Sequence, residues 1–305
     1  MGYPSAPVVE LNLKGFIPLP PPPPLPPPVQ VIVVHDDHKT TDIKSGVATV
    51  TTYGVGDVVI GEKGTDVTVY AANPDIITLD KGGVTAFGGG NKITVNIGNV
   101  VDNGGGGPNG EHVTVNTGNI TGTGDHIFAT VGKGLVSLTG NNNDVTLGAG
   151  SSLNSHGNNV TAHVGIGDVD PLNFFGGTGE KVVFSGAVNS QHDQRGFFSF
   201  FDNFHFGKPT VEVVQGFQNG VLDFSQLTHA HGQVLEVTET VQGGNLFVHL
   251  FSADDHHDHH DHHQADFGFG SLSSNDGFTV ELVGVTHTTV VGATVVQDHS
   301  HVWFG

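Results

Sequence analysis

The residues best able to bind a metal ion lie in one short run, DDHHDHHDHH at 254–263. Neutral imidazole and carboxylate groups bind Zn²⁺, Ni²⁺ and Cu²⁺, and a chain without cysteine must use these ligand types. The run is too polar to pack against a core, so we interpret it as a solvated loop that binds these metals opportunistically. A dedicated metal site is the alternative, whereas a catalytic metal needs a fixed ligand geometry that such a loop does not supply. The candidate ligands are Asp254, Asp255, His256, His257, Asp258, His259, His260, Asp261, His262 and His263.

The overall composition favours short strands and tight turns over helices. Glycine accounts for 46 of the 305 residues and charged residues for 13%, while valine dominates the apolar residues. Long helices are rich in Ala, Leu, Glu, Lys and Arg, whereas Val and Thr favour strands and Gly and Asn favour turns. The composition therefore predicts an all-β protein.

The charge excludes several classes of partner. The net charge is −20, and the basic residues are nine lysines and Arg195. Because nucleic-acid binding needs clustered Lys and Arg to neutralise phosphates, nucleic acid is excluded as a partner. No apolar run reaches the roughly eighteen residues of a transmembrane helix, and the first residues lack the pattern of an N-terminal signal peptide.

A repeat of short β triplets runs through residues 46–170. Middle positions 128, 137 and 146 are nine residues apart, so two triplets make a coil of about eighteen residues. A three-residue strand buries too little surface to be stable alone, so the coils must stack. The repeat predicts a parallel β-solenoid or β-roll, with the outer residues of each triplet inside and the middle residue outside. The triplets are VTV 67–69, ITL 77–79, VTA 84–86, ITV 93–95, VTV 113–115, IFA 127–129, VSL 136–138, VTL 145–147 and VTA 160–162.

Some turns of the repeat place an acidic residue after glycine, at Asp66, Asp125 and Asp144. These turns resemble the glycine-rich nonapeptides of RTX-type proteins, which bind calcium in a parallel β-roll. The resemblance implies Ca²⁺ at these three residues. Other turns carry asparagine, which can join stacked coils by hydrogen bonds without an ion. Regular calcium filling and one or two isolated ions therefore both stay open.

The segments that flank the repeat differ from it in composition. Residues 1–45 include PLPPPPPLPPP at 18–28, a disordered, extended polyproline segment that is either a stiff spacer or a ligand of a proline-binding domain. The next residues, VQVIVV at 29–34, are a strand candidate that either folds onto the first coil or pairs with a second molecule through Ile32 and Val34. Residues 171–210 are rich in phenylalanine, and around Phe198 and Phe200 we expect a cap on the solenoid or a surface for self-association.

The segment 211–305 contains a series of spaced motifs. They match Gly216, Phe217, Gly220, Leu222, Asp223, Phe224, Ser225 and Leu227, then Gly244 and Asn245, and finally Leu282, Gly284 and Val285. The series is similar to the C-terminal region of bacterial proteins exported by type I, ABC-transporter-driven secretion, although the chain ends DHSHVWFG in place of the family's short apolar–acidic tail. The resemblance implies a C-terminal β domain, an extracellular location without an N-terminal signal peptide, and the type I ABC machinery as a partner. The metal-binding run 254–263 is then an insertion within this domain.

Three functions are compatible with these features. The first is a non-enzymatic, secreted structural or adhesive protein, either a monomer or self-assembled into a homo-oligomer or filament, and this is our prediction. The second is a secreted protein whose purpose is binding calcium or transition metals. The third is a polysaccharide-processing β-helix enzyme, for which the repeat offers His112, His126, His156, His163 and Lys133 but no arginine and no nucleophile motif. We therefore expect no catalytic residues.

Overall fold

The computed structural model describes residues 28–72, 74–104, 110–166, 169–187, 211–228, 233–254 and 278–295. All the regular structure in these ranges is β, as predicted. Within them there is no helix with the length and apolar character needed to cross a membrane. The strands are, in chain order, β1 (Val29–Val34), β2 (Thr40–Ile43), β3 (Val47–Thr52), β4 (Val58–Gly61), β5 (Asp66–Ala71), β6 (Ile76–Ala86), β7 (Lys92–Asp102), β8 (Glu111–Thr117), β9 (Ile120–Thr123), β10 (Ile127–Lys133), β11 (Leu135–Thr139), β12 (Asp144–Leu147), β13 (Ser151–His156), β14 (Thr161–Gly165), β15 (Val169–Phe174), β16 (Lys181–Ala187), β17 (Val211–Gln215), β18 (Val221–Thr228), β19 (Gln233–Gln242), β20 (Asn245–Asp254), β21 (Phe278–Val283), β22 (Thr289–Val291) and β23 (Thr294–Val295).

The strands stack into two parallel ladders, so the chain is a β-solenoid. The first ladder contains β1, β3, β5, the second halves of β6 and β7, β9, β11, β13, β15, β17 and β21. The second contains β2, β4, the first halves of β6 and β7, β8, β10, β12, β14, β16, β18 and β22. Each coil contributes one strand to each ladder, which confirms the predicted two triplets per coil.

The side chains alternate as the triplets predict. In ITL at 77–79, Ile77 and Leu79 are buried and Thr78 is exposed. The same holds for IFA at 127–129, where the large Phe128 side chain points outward between two buried residues. Alternation in a strand places successive side chains on opposite faces, so every inward residue stacks on its equivalents in the neighbouring coils. The result is one continuous apolar core along the rod.

The solenoid extends beyond both predicted limits of the repeat. At the start, β1 pairs in parallel with β3, so VQVIVV forms part of the first coil. At the far side, β15 to β18 and then β21 and β22 continue both ladders, with no break at residues 170 or 210 apart from insertions. The sequence repeat is weaker there because the core changes from Val and Ile to Phe184, Phe217 and Phe224.

A hairpin accompanies the last coils. Strands β19 and β20 are antiparallel, and β20 adds to the edge of β21, also antiparallel. The two-residue turn between them contains Gly243 and Gly244, both with positive φ. The Asn245 amide donates to Glu281, and its carbonyl oxygen accepts from the Gly284 N–H. The sequence predicts a C-terminal β domain over 211–305; within that range β17, β18, β21 and β22 continue the ladders, and the hairpin adds to their edge.

One column of glycines permits the tight corner between the two ladders. Gly98 and Gly118 have φ values of 155° and 143°. A Cβ atom at Gly118 would lie 1.7 Å from the Gly98 carbonyl oxygen, and one at Gly98 would lie 1.6 Å from that of Gly82. Backbone passes directly over backbone at this corner, which leaves no space for a side chain.

Candidate binding face and buried acidic column

The outer surface of the second ladder carries a row of threonines. Strands β6, β7, β8, β10 and β12 pair so that one threonine from each lies directly beside the next. All five are exposed, and within the described chain none of their hydroxyl groups has a hydrogen-bond partner. Neighbouring strands are about 4.8 Å apart, so the hydroxyl groups repeat at about that distance. We call this surface the threonine face; its residues are Thr78, Thr94, Thr114, Thr130 and Thr146.

A polar ladder lies beside these threonines, two residues further along three of the strands. The Asn116 amide donates to Asn96 Oδ1 at 3.0 Å, and the Asn96 amide donates to Asp80 Oδ1 at 3.0 Å. The N–H of Gly64 also donates to Asp80, and these hydrogen bonds lower the pKa of its carboxyl group. The bonds hold the three side chains in fixed orientations. With three of the threonines they border a shallow trough of about 380 Å³.

An aromatic pair completes the face on the other side of the threonines. The rings of His112 and Phe128 stack at a centroid distance of 4.8 Å and an angle of 10°. Phe128 is 42% exposed, so part of its ring is available to solvent. The same kind of stack joins His156 to Phe175 on the first ladder. These histidines, which the sequence offers as catalytic candidates, therefore pack on aromatic rings of the neighbouring coil.

A column of buried polar residues runs inside the solenoid at the start of the second-ladder strands. Asp57, Asp75, Asn91 and Glu111 are at most 1% exposed. Each side chain accepts a backbone N–H from the previous coil: Asp75 from Asp57, Asn91 from Asp75, and Glu111 from Asn91, at 2.8 to 3.0 Å. The column thus joins successive coils where the chain turns the corner, a structural use of carboxylate and amide oxygens.

Asp102 lies beside this column, and like Asp57 it has one carboxylate oxygen without a hydrogen-bond partner in the described chain. The side chain is fully buried; Oδ1 accepts the Gly104 N–H at 2.9 Å, and Oδ2 has no hydrogen-bond partner in the described chain. Burial, and secondarily the nearby charge of Glu111, raises the pKa of Asp102 to about 7. Burial also raises the pKa values of Asp75 and Glu111. Such shifts are common in active sites, but here the groups are sealed inside the rod.

The three aspartates predicted to bind calcium have separate partners. Asp66 forms an ion pair with Lys81 at 2.8 Å, and Asp125 accepts the Asn141 N–H at 2.6 Å. Asp144 lies 3.3 Å from a ring nitrogen of His163. Within the described ranges, no three His, Asp or Glu side chains converge on a point that could hold a metal ion. Calcium binding remains a prediction.

The residues that resemble a type I export motif form one coil of the solenoid. Phe217, Leu222 and Phe224 are fully buried, and Leu227 is 6% exposed. Gly216 has φ 71°, and a Cβ atom there would lie 1.7 Å from the Phe174 carbonyl oxygen. At Gly220, the Phe217 ring occupies the space that a Cβ atom would need. Asp223 pairs with Lys181 at 2.6 Å and accepts the Ser225 N–H. Further on, Leu282 and Val285 are buried and Gly284 has φ 74°.

The assembly residues are divided between described and undescribed parts of the chain. Val34 is buried and Ile32 is partly buried against the core, whereas Val29, Val31 and Val33 are 56%, 74% and 51% exposed. Phe198, Phe200 and the metal-binding candidates 255–263 lie outside the described residues, and only the backbone of Asp254 is described, at the end of β20.

Sequence reasoning missed the buried column and the threonine face. The column has a sequence signal: a polar residue two positions before the first inward apolar residue, as in Asp75 before Ile77 and Glu111 before Val113. The face requires knowledge of which triplets share a ladder. No family model, curated protein or solved structure matches this chain. The functional argument therefore depends on the geometry alone.

Proposed function

We propose that this protein is a non-enzymatic, secreted structural or adhesive protein whose working part is the outer surface of a rigid β-solenoid. The observation that carries the proposal is the regular exposed face of free threonine hydroxyls and self-bonded amides, beside a core whose perturbed acids are inaccessible. An enzyme needs its perturbed acids and bases within reach of a substrate. Here Asp102, Glu111 and Asp75 serve the backbone instead.

Export by a type I ABC transporter accounts for the C-terminal motifs in this proposal. A substrate of that pathway crosses the membrane unfolded and folds outside, which suits a chain without cysteine that folds by adding coils one after another. The acidic net charge and any calcium bound at Asp66, Asp125 or Asp144 belong to the same extracellular setting. The His/Asp run 254–263 is an accessory metal-binding loop.

Self-assembly through the first coil is the second part of the proposal. Within the described residues, β1 pairs with β3 alone, and its three outward valines make an apolar stripe at that end of the rod. Edge strands with unused backbone groups accept strands from other molecules. The residues that test this are Val31 and Val33, because Ile32 and Val34 point toward the core.

The test of the function combines location with particle shape. We expect the full chain, expressed with and without a type I transporter, to appear in the medium only when the transporter is present. Electron microscopy of the purified protein should show elongated particles of uniform width, alone or joined at their ends. Retention inside cells in both strains, or compact particles, would overturn the proposal.

Assembly is tested with a matched pair of variants. Val31→Lys combined with Val33→Lys adds charge at the β1 edge, and we expect sedimentation to show only monomers. The control is Val101→Lys, an exposed valine on the same ladder but far from the end, which should assemble as the unmodified protein does. Equal assembly of all three proteins would place the contact elsewhere.

A further inference from the structure

The threonine face has the properties of a binding surface for a polymer. Its five hydroxyl groups have no partners in the described chain and repeat once per coil along the rod. A hydroxyl group both donates and accepts, so each threonine offers an unused donor and acceptor next to a methyl group. A small molecule would use one or two of these positions. An extended chain of repeating units would use them all.

The polar ladder beside the threonines is already ordered. Asn96 uses one amide hydrogen on Asp80 and accepts one from Asn116, which leaves a second hydrogen for a ligand. Side chains held in place before binding lose less entropy when a ligand arrives, so weak hydrogen bonds contribute more to affinity. This preorganisation distinguishes the face from an ordinary exposed surface with mobile side chains.

The shape and apolar groups of the face indicate the class of ligand. The trough beside the threonines is shallow and open, so it suits an extended chain lying along the surface. The Phe128 ring, stacked on His112 of the neighbouring coil, leaves exposed apolar surface next to the hydroxyl row. Sugar rings combine a C–H face, which packs on aromatic rings, with a rim of hydroxyl groups, which hydrogen-bond to Thr, Asn and Asp. A polysaccharide presents both features at every unit.

The charge of the face selects among polysaccharides. The charged side chains around the trough have both signs: the Asp80 carboxylate lines it, the charge of Lys63 acts on that carboxylate, and Lys92 lies two residues before Thr94. The net charge of −20 on the whole chain opposes the approach of a polyanion. We propose that the threonine face binds a neutral, extended polysaccharide. This inference depends on the adhesive role proposed above and names its ligand.

The experiment measures binding of the purified full chain to insoluble polysaccharides by co-sedimentation. The neutral probes are cellulose, chitin and starch granules, and the charged probe is insoluble, cross-linked carboxymethyl cellulose, which keeps the cellulose backbone and adds negative groups. We expect saturable binding to at least one neutral probe and at least tenfold weaker binding to the charged one at low salt. Absence of binding to all three neutral probes would overturn the inference.

The variant that tests the face is Thr94→Val, Thr114→Val and Thr130→Val together. Valine keeps the shape and strand preference of threonine and removes only the hydroxyl group. We expect at least a tenfold rise in the dissociation constant, with an unchanged circular dichroism spectrum and thermal midpoint. The matched control, Thr49→Val, Thr68→Val and Thr121→Val, changes outward threonines of the first ladder and should bind as the unmodified protein does.

Two further outcomes would also overturn the inference. Equal loss in both triple variants would mean that binding is not specific to this face. Loss of a dimer in the first variant, without polysaccharide binding by the unmodified protein, would assign the face to a second copy of the chain. The proposed structural function is judged separately, since export and particle shape do not require the polysaccharide.

Discussion

The buried carboxyl group of Asp102 makes a specific prediction about pH and stability. In the unfolded chain this group has the ordinary aspartate pKa of 3.8, and in the folded chain burial raises its pKa to about 7. Between these values the folded protein keeps a proton that the unfolded chain has lost. The free energy of unfolding therefore falls as the pH rises from about 4 to about 7, and this contribution is fully present only below pH 4.

The size of the effect follows from the same two values. They differ by about three in pKa, and one unit corresponds to roughly 1.4 kcal/mol, so Asp102 lowers the free energy of unfolding by about 4 kcal/mol between pH 4 and pH 8. Burial also raises the pKa values of Asp75, Glu111 and Glu180, so these residues act in the same direction. The contribution of Asp102 is isolated by comparison with a variant.

The variant is Asp102→Asn, which stays neutral at every pH. Its Oδ1 can still accept the Gly104 N–H, and its amide resembles the protonated carboxyl group in placing a donor at the position of Oδ2. At pH 4 we expect the two proteins to agree within about 1 kcal/mol, since neither carries a charge there. At pH 8 we expect the variant to be more stable by about 2–4 kcal/mol.

The assay is guanidinium unfolding at several pH values from 4 to 8, followed by circular dichroism. The midpoint of the unmodified protein should fall with pH more steeply than that of the variant. Asp223→Asn is the control, because the pKa of Asp223 is shifted in the opposite direction to that of Asp102. Burial alone would raise this pKa, but the hydrogen bonds with Lys181 and Ser225, together with the Lys181 charge, outweigh burial and lower it. Loss of the Asp223 carboxylate should therefore lower the free energy of unfolding above pH 4. Parallel pH curves for Asp102→Asn and the unmodified protein would refute the assignment.

Three further predictions concern the corner, the export motif and the metal-binding run. Gly118→Ala should lower the free energy of unfolding by about 2–4 kcal/mol in guanidinium titrations, because a Cβ there meets the Gly98 carbonyl oxygen. The control Gly46→Ala, in open space at φ 86°, should lower it by only about 1–2 kcal/mol. Equal losses in the two variants would contradict the steric argument. Phe224→Ala and Phe184→Ala each remove a stacked, fully buried ring and should lower the free energy of unfolding by about 3–5 kcal/mol. Only Phe224→Ala, which lies inside the proposed export motif, should also reduce the amount of protein in the medium. Equal export of the two variants would refute the motif. Deletion of residues 255–263 should abolish zinc binding, measured by calorimetry at pH 7.5, without changing the thermal midpoint. In the intact chain, zinc binding should weaken below about pH 6.5 because the histidines become protonated. A fall of several degrees in the thermal midpoint of the deletion variant would make the run a structural site.

Local patterns in the sequence are sufficient for the class of fold. The triplet VTV at 67–69 or ITV at 93–95 determines which side chains point inward, because a strand alternates with period two regardless of its neighbours. Strands this short cannot be stable alone, so stacking follows, and the regular spacing makes the stack parallel. The coils at the two ends lack these signals, since VQVIVV of β1 and VDPLNF and KVVFSGA of β15 and β16 contain no apolar–Thr–apolar triplet.

The tertiary structure alone decides which distant residues meet. Thr78, Thr94 and Thr114 form one face because coils of unequal length still return the chain to the same ladder, and the loops that absorb the difference cannot be aligned from spacing. The same stacking buries Asp102 and places the Glu111 charge close to it, and burial first and this charge second raise the pKa of a residue that looks like a surface aspartate in the sequence. Alternation along a strand is a local property of the backbone. Register between coils depends on every loop that lies between them, and the candidate site is made entirely of contacts between coils.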